Sequence, residues 1–516
     1  MAGAGCCPGE LPKPHEALWR AVRVLPERQA RRRGRVLGFG SPADPLGDCA
    51  PLGACRAYRR ARKAPGVGPR LEGTWRGPVH AQRARSATVR RRLGTDTAAA
   101  VTERLDMSWG NTVAVAAELP AIDAGRAAVR TRSRRPRLLV LGIVAVVASP
   151  VWLGALSLIG ERWVPMSDWS SMVYRVSQVG TWDTPLVGPY SFHGFAHPGP
   201  LLYWLAAPLY RLTSGDPRSL LWTAAALNVV VIAALASVAW RRGRWPLLLG
   251  TMVLVALLVH GFGPAVMVDL WNPYVPLSPF LLAVFLAWDA ALGRPRALVE
   301  AVLPASLAVQ SHVAFLSLTA LVVLWLLGWA WWSPRFVSRR SDAGTTVVRF
   351  PPLRGVILLL GVLWIGPLLD AVFDVHNPAK IARALAREEH TVGAIDAIPL
   401  VARHVRVDGL WVTGTEPWVY PSMDGLNALP FVLLLVLLVG CLCLALRRRL
   451  VDVAALATLA LTLLVGSIPA AGQLLTPPMS YLTEWLKIVG GVAWFTVAWT
   501  GWRLVEAAVR ARGSRK

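Results

Sequence analysis

Long apolar runs recur along this chain and constrain its fold more than any other feature. Two of them are LLVLGIVAVVASPVWLGALSLIG from residue 138 and FVLLLVLLVGCLCLAL from residue 431. They approach or exceed the roughly 20 apolar residues that cross a bilayer as a helix. Hydrophobic residues fill 54% of the 516 positions and the mean hydropathy is +0.45, which is too apolar for a water-soluble chain of this length. The sequence therefore predicts an all-α fold, a polytopic bundle of transmembrane helices.

The formal charge of +25 is concentrated in the first part of the chain. Residues 1–137 hold 27 Lys and Arg against 11 Asp and Glu. Residues 1–106 are rich in Arg, Pro, Gly and Ala without an apolar period, so they cannot bury enough surface to offset the entropy of ordering. We expect a disordered basic tail that is not a functional domain, with Met107 as an alternative start and 107–137 as a basic cytoplasmic segment. No nucleic-acid partner is expected.

The six cysteines fit neither a disulfide framework nor a zinc site. Cys441 and Cys443 lie inside a predicted membrane helix, and the other four are scattered through the tail without the tight paired spacing of a zinc knuckle. No apolar segment opens the chain, so a cleavable signal peptide is not expected.

Ten segments have the length and apolar character expected of membrane crossings, with boundaries good to a few residues. They are 138–160, 219–240, 246–263, 275–291, 297–311, 313–332, 354–372, 427–446, 451–469 and 482–505.

Clusters of basic residues flank these segments and predict their orientation. The clusters are RTRSRRPR before the first segment, RRGR at 241–244, GRPR at 293–296, RFVSRR at 335–340, RRR at 447–449 and RARGSRK at the C-terminal end. Ten crossings put every cluster on the same side, which the positive-inside rule makes the cytoplasm. Both termini, including the basic tail 506–516, are then cytoplasmic. For a bacterial protein this means a multi-pass protein of the plasma membrane.

The predicted topology depends on two segments. HPGPLLYWLAAPLYRL, residues 197–212, is short and holds three prolines, so we expect an interfacial or re-entrant segment instead of a crossing. Residues 297–332 must form a tight hairpin of two short helices broken near QSH at 310–312. Large loops after the first and seventh helices, 161–218 and 373–426, then lie outside.

Asp168, just past the first apolar run, is the first candidate for chemistry. A carboxylate at the outer end of a helix can act as a general base that activates a hydroxyl for attack on a lipid-linked donor, whose phosphate lies at headgroup depth. Asp183 is a second carboxylate of the same loop, and Arg175 lies two helical turns beyond Asp168 on the same face. Alternatively, Asp168 caps an interfacial helix whose apolar stripe of Trp169, Met172 and Val176 faces lipid.

Further candidates for binding a substrate are polar or aromatic residues at the predicted outer ends of helices. Ionisable groups at membrane depth are costly to bury, and cations there can bind phosphate, although interfacial aromatics are often only anchors. The candidates, besides Arg175, are His193, His197, Trp271, Asn272, His312, Asp370, Lys380 and Lys487. No nucleotide-binding glycine pattern, metalloprotease motif, serine-hydrolase motif or internal repeat is evident. The lack of a repeat argues mildly against transporters built from repeated halves.

Three stretches carry a family resemblance: SDWSSMVYRVSQVGTWDTPLVGPYSFHGFAHPGPLLYWLAAPLYRL from residue 167, WNPYVPLSPFLLAVFLAW from residue 271 and AVQSHVAF from residue 308. They resemble a family of bacterial polytopic membrane proteins that in turn is similar to the GT-C fold glycosyltransferases. That superfamily includes protein mannosyltransferases, aminoarabinose transferases and arabinofuranosyltransferases. The resemblance covers roughly residues 138–505. The onward link to GT-C enzymes is architectural.

The resemblance implies a large first outer loop that bears an acidic catalytic residue, a further outer loop after the seventh helix, and a polyprenyl-phosphate sugar as donor. Asp168 matches the loop-one acid. The chain departs from the frequent paired Asp-Glu form because Trp169 follows Asp168, which leaves both a second carboxylate, Asp183, and a divalent metal as open questions.

The expected function is a membrane glycosyltransferase that moves a sugar from a polyprenyl-phosphate donor to a cell-envelope glycan or lipid acceptor on the outer face. A transporter or flippase of lipid-linked glycans is the alternative from another class, and an O-antigen-ligase-like or polymerase role is a third. A transporter should carry ionisable residues deep in its helices, whereas here the charges gather at the predicted outer ends.

Overall fold

The structure is a computed structural model that describes residues 135–337, 353–373, 376–386, 391–414, 427–474 and 478–513. The predicted tail 1–106, most of the basic segment 107–137 and part of the loop 373–426 lie outside these residues.

Regular structure in the described residues is helical, apart from isolated bridge residues such as the antiparallel pair Tyr190 and Ala196. The all-α prediction is confirmed for this part of the chain. The helices before the first gap are α1 Arg135–Val147, α2 Ser149–Leu156, α3 Asp168–Gln178, α4 Leu201–Leu212, α5 Ser219–Phe262, α6 Pro264–Met267, α7 Leu277–Ala291, α8 Arg296–Ser311 and α9 Ala314–Val337. The later helices are α10 Leu353–Leu363, α11 Ile365–Phe373, α12 His376–Ala386, α13 Gly393–Val405, α14 Leu410–Thr413, α15 Leu429–Arg448, α16 Val451–Gly472 and α17 Trp485–Gly513, with a 3₁₀ turn at Ser480–Leu482.

Five of these helices are long and apolar enough to cross a membrane: α5, α9, α15, α16 and α17. Two bent pairs, α1 with α2 and α10 with α11, pass the same criterion together, which raises the number to seven. The pairs bend by 61° and 58°. The helix α4 has only 12 residues, about 18 Å at 1.5 Å per residue, and is too short to span a bilayer alone.

Helix α5 spans 44 residues but consists of two helical halves that meet at a kink at Arg244, whose φ of 51° and ψ of −137° are not helical. Near its start, Asn228 donates a hydrogen bond of 2.6 Å to the carbonyl of Met267, just past its end. A straight helix would hold residues 228 and 262 about 50 Å apart. The two halves are therefore antiparallel, and the break lies between the predicted segments 219–240 and 246–263.

Helix α7 forms the centre of the bundle, since every one of its 15 residues is buried. Its sequence is apolar all round, as a helix enclosed by neighbours must be. The predicted break near QSH is confirmed: α8 ends at Ser311 and α9 begins at Ala314.

Basic clusters meet around two aspartates at one end of the bundle, which we name the basic end. Asp289 at the C-terminus of α7 is fully buried and pairs with Arg242 and with Arg294, the latter at 2.9 Å. Beside it, the indole of Trp288 donates to the carbonyl of Asp452, whose side chain pairs with Arg503 at 2.7 Å. A buried carboxylate needs such partners because an unpaired buried charge is strongly destabilising.

Helices α16 and α17 connect the basic end to the opposite end of the bundle. Asp452 lies in the first turn of α16, and Ala470 lies near its end, about 27 Å away along the helix. Helix α17 runs the other way, from Trp485 to Arg503. Ala470 and Trp485 both line the cavity described next, so this cavity lies about one membrane thickness from the basic end.

Candidate functional site

A cavity of about 500 Å³ lies at the end of the bundle opposite the basic end. Its wall combines the loop 161–218 (loop one), the segment after α6, the turn between α8 and α9, and the approach to α17. Six of the residues predicted from the sequence line it together: Asp168, His193, His197, Trp271, Asn272 and His312.

Helix α3 holds Asp168 at the edge of this cavity. Met172 and Val176, one and two turns on, are buried in a cluster with α4 and Trp271. The apolar stripe of α3 therefore faces protein and not lipid. Ser167 precedes the helix with φ of 51° and makes no side-chain capping bond, and Asp168 is the first helical residue with its side chain exposed.

Two aspartates and two tryptophans exchange hydrogen bonds between α3 and the segment after α6. The indole N–H of Trp271 donates to Asp168 at 2.9 Å, and the indole N–H of Trp169 donates to Asp269 at 2.8 Å. Asp269 also accepts the backbone N–H of Trp271 at 2.9 Å. The two indole rings lie 5.5 Å apart, and Tyr481 packs on Trp271 at 4.8 Å. The hydrogen bond from the buried Trp271 orients the exposed carboxylate of Asp168.

Asp269 lies two residues before Trp271, but it was not among the predicted site residues. Burial raises the pKa of Asp269 to about 6, while the hydrogen bonds from Trp169 and Trp271 act to lower it. Its role depends on a partner 100 positions away. The local signal that could have drawn attention to it is the repetition of an aspartate beside a tryptophan, at 168–169 and at 269–271.

A short hairpin in loop one carries the histidines into the cavity. Gly188 N–H donates to the His197 carbonyl at 2.9 Å, and His197 N–H donates to the Pro189 carbonyl at 2.8 Å. Phe195 lies between the histidines, edge-on to His197 at 5.7 Å and stacked with His193 at 6.1 Å. The hairpin thus places His197 inside and leaves His193 exposed at the rim.

His197 and His312 form a close pair, with ring centroids 4.7 Å apart. The backbone N–H of Val313 donates to Nδ1 of His197 at 3.2 Å, and that of Ala314 donates to Nδ1 of His312 at 3.3 Å. Burial lowers the pKa of His197 well below its ordinary value, with His312 and His193 adding repulsion, and burial lowers the pKa of His312 to about 4. Both rings are therefore neutral at physiological pH.

Gly199, in the HPGP motif, allows loop one to approach the end of α8. A Cβ atom there would lie 2.0 Å from Oε1 of Gln310, a residue whose amide donates to the Leu363 carbonyl at 2.9 Å. No larger residue fits while Gln310 keeps this position. The glycine therefore fixes the distance between loop one and the turn that carries His312.

Asn377, in the loop 373–426, connects that loop to the hairpin of loop one. Its carboxamide accepts the backbone N–H of Ala196 at 2.9 Å and donates to the carbonyl of the same residue at 3.1 Å. Asn377 is buried, and Ala384 on the same helix, α12, lines the cavity. Asn377 was not among the predicted site residues, because one asparagine beside a proline, here Pro378, resembles an ordinary turn.

Five predicted site residues do not line the cavity. Asp183 is exposed on loop one, Arg175 is exposed and donates to Gln178 at 3.2 Å, and Lys380 is exposed on α12. Asp370 is half-buried on α11. Lys487 is fully buried, where it pairs with Glu484 at 3.0 Å and donates to the Gly261 carbonyl at 3.1 Å. No Lys or Arg lines the cavity among the described residues.

The described residues include no group of three or more His, Cys, Asp or Glu that could hold a metal ion. Asp168 and the imidazole pair are nevertheless the lining groups whose atoms suit acid–base chemistry and hydrogen bonding to a polar ligand. Apolar and aromatic side chains make up much of the remaining wall, as in sites that bind organic ligands.

Comparison of the chain with protein-family models, with curated proteins and with solved structures gives no match.

Proposed function

We propose that this protein is a membrane glycosyltransferase of GT-C type, which moves a sugar from a polyprenyl-phosphate donor to a glycan or lipid acceptor of the cell envelope. The observation that carries the proposal is the exposed carboxylate of Asp168, held by the indole N–H of Trp271 at the edge of a cavity of about 500 Å³. A general base needs both access to its substrate and a defined orientation, and Asp168 has both.

The position of the cavity supports an outer-face reaction. Arginine clusters occupy the basic end, and the positive-inside rule assigns such an end to the cytoplasm. The cavity at the other end then faces the cell envelope. We further propose ten crossings in a bacterial plasma membrane with both termini in the cytoplasm, since the doubling back of α5 fits two of the predicted crossings.

The proposed step is a substitution at the anomeric carbon of the donor. Asp168 takes the proton of an acceptor hydroxyl as the oxygen attacks this carbon, so that the new glycosidic bond forms while the bond from the anomeric carbon to the phosphate oxygen breaks. The leaving group is the polyprenyl phosphate, and the proton remains on the Asp168 carboxyl group until solvent removes it. No nucleotide sugar is required on this side of the membrane.

The location of the buried charges favours transfer over transport. Asp289 is paired at the basic end, and Lys487 with Glu484 is paired at the first turn of α17 beside the cavity. A transporter with alternating access needs ionisable residues lining a path through its middle. The paired positions of these charges near the two ends suit a fixed scaffold around one site.

The test is a transfer assay with the full-length protein in lipid nanodiscs. Polyprenyl-phosphoryl sugars carrying different radiolabelled sugars are offered together with a cell-envelope extract as acceptor. The proposal expects release of polyprenyl phosphate with transfer of label into the acceptor fraction for at least one sugar. Movement of intact labelled donor between leaflets of proteoliposomes, without cleavage, would contradict the proposal and support a flippase.

A further inference from the structure

We propose that the Nε2–H groups of His197 and His312 form a subsite for a singly charged phosphate diester, the linkage that joins the lipid to the sugar of the donor. The identity of the lipid rests on the proposed function. The arrangement of the two imidazole rings does not depend on whether sugar is transferred.

The tautomer of each ring follows from its hydrogen bond. A backbone N–H can donate to Nδ1 only if Nδ1 carries no proton, and both rings accept such a bond, from Val313 and from Ala314. A neutral imidazole has one N–H, which must then be on Nε2. Each ring therefore offers one fixed donor and has no acceptor left.

Neither donor has a hydrogen-bond acceptor in the part of the protein that the structure describes. Among the described residues no hydrogen bond involves Nε2 of either ring, although His197 is only 4% exposed and lines the cavity. Both rings line the cavity, so an oxygen of a ligand bound there can accept these N–H groups. The ring centroids are 4.7 Å apart, close enough for both donors to reach one small group.

The groups that line the cavity restrict the class of ligand that this subsite can bind. Two donors without an acceptor match an oxygen that only accepts, as in a phosphate, better than a hydroxyl group, which must also donate. The donors are neutral, Asp168 shares the cavity, and no Lys or Arg lines it among the residues described, so one negative charge suits the site better than two. Phe195 and Phe192 line the same cavity, and Phe195 is buried beside His197.

A matched pair of substitutions at each ring tests the roles of its two nitrogens separately. In His197→Asn the shorter amide reaches the Nδ1 position, so it keeps an acceptor for Val313 but places no donor at Nε2. In His197→Gln the longer amide keeps a donor near the Nε2 position. His312→Asn and His312→Gln repeat the comparison at the second ring, and His260→Asn is the control, because His260 is exposed and does not line the cavity.

The measurement is equilibrium binding of radiolabelled methyl farnesyl phosphate, a lipid phosphate diester, to the full-length protein in nanodiscs without any acceptor. Methyl farnesyl ether is the uncharged lipid control, and dimethyl phosphate tests the head group alone. We expect a Kd at least tenfold weaker in each Asn variant and within about threefold of wild type in each Gln variant, as for loss of a hydrogen bond to a charged group. Dimethyl phosphate should bind more weakly but show the same order of variants.

Wild-type affinity in both Asn variants, with unchanged thermal unfolding, would overturn the subsite, and so would Gln variants as weak as the Asn variants. If one Asn variant fails to fold, its counterpart at the other ring decides. Binding through the imidazoles without any sugar transfer would refute the proposed function and keep the subsite. Sugar transfer by the wild-type protein, together with wild-type affinity for the diester in the Asn variants, would refute the subsite and keep the proposed function.

Discussion

The indole N–H of Trp271 donates a hydrogen bond of 2.9 Å to the carboxylate of Asp168, across 103 positions of sequence. The bond joins the first turn of α3 to the segment after α6. Because Trp271 is buried and Asp168 is exposed, a rigid donor orients an accessible acceptor.

Replacing Trp271 with Phe should lower the rate of sugar transfer on the order of tenfold or more, since a hydrogen bond to a charged group contributes about 1.5 to 3 kcal/mol. The ring stays, so its packing on Trp169 and Tyr481 is largely kept and thermal unfolding should change little. Trp222→Phe is the control, because its indole N–H donates to the Ala155 carbonyl outside the cavity. Equal rates for the two variants would show that Asp168 does not depend on this donor.

The raised pKa of Asp269 predicts how the stability of the protein depends on pH. Its folded-state pKa of about 6 lies above the ordinary value of 3.8, so the folded protein binds this proton more tightly. The contribution of Asp269 to stability is therefore fully present below about pH 4 and is lost as the pH rises through about 6. Asp269→Asn keeps an acceptor for Trp169 but does not titrate.

We expect the stability of Asp269→Asn relative to wild type to increase between pH 5 and pH 7.5, by about 1 to 1.5 kcal/mol of unfolding free energy. The measurement is thermal unfolding in detergent at the two pH values. His312 titrates in both proteins and cancels in the difference. A difference that stays the same at both pH values would contradict the burial of a titrating carboxyl group at this position.

Local patterns were sufficient for much of the fold. Apolar run lengths predicted the helices, and QSH predicted the break between α8 and α9. The stripe of Met172 and Val176 on α3 was also visible, but periodicity shows only that a face is apolar and not whether lipid or protein covers it. The bending of α10 with α11 likewise depends on packing, for example of Gly366 against Pro200.

The sequence located those cavity residues that depend on their own position at the end of a helix, such as Asp168. Residues that act through distant partners were overlooked, as with Asp269 and Asn377, because their partners lie 100 and 181 positions away. Lys487 was selected as an outer cation, yet Glu484 three residues before it already indicated a pair on one helical face.

Asn377 should hold the hairpin of loop one in place. Asn377→Ala removes both bonds to Ala196, and at about 1 kcal/mol each the amide of Ala196 should exchange roughly 5 to 30 times faster with solvent. Asn377→Asp keeps the acceptor but replaces the donor with an oxygen, so it should not restore protection fully. Hydrogen exchange measured by mass spectrometry on peptides covering 190–197 checks this. Unchanged exchange in Asn377→Ala would show that Asn377 does not hold the hairpin in place.

Orientation in the membrane can be tested by labelling single cysteines in a background in which all six native cysteines are replaced with alanine. Thr181 is exposed on loop one, and Arg512 is exposed near the end of α17 beyond the basic end. Thr181→Cys should react with an impermeant maleimide in intact cells, and Arg512→Cys only after permeabilisation. The reverse pattern would put the cavity on the cytoplasmic side and exclude an outer-face reaction.

The most direct measurement of the central claim compares the two carboxylates of loop one. Asp168→Asn keeps the size and most of the hydrogen bonding of the side chain but removes the proton acceptor, whereas Asp183→Asn makes the same change at an exposed position outside the cavity. We predict that, at equal amounts of folded protein, Asp168→Asn transfers sugar 10² to 10⁴ times more slowly, roughly the contribution of a general base, and that Asp183→Asn stays close to wild type. Transfer at the wild-type rate by Asp168→Asn would contradict the account, and loss of transfer in Asp183→Asn alone would show that the catalytic carboxylate lies outside this cavity.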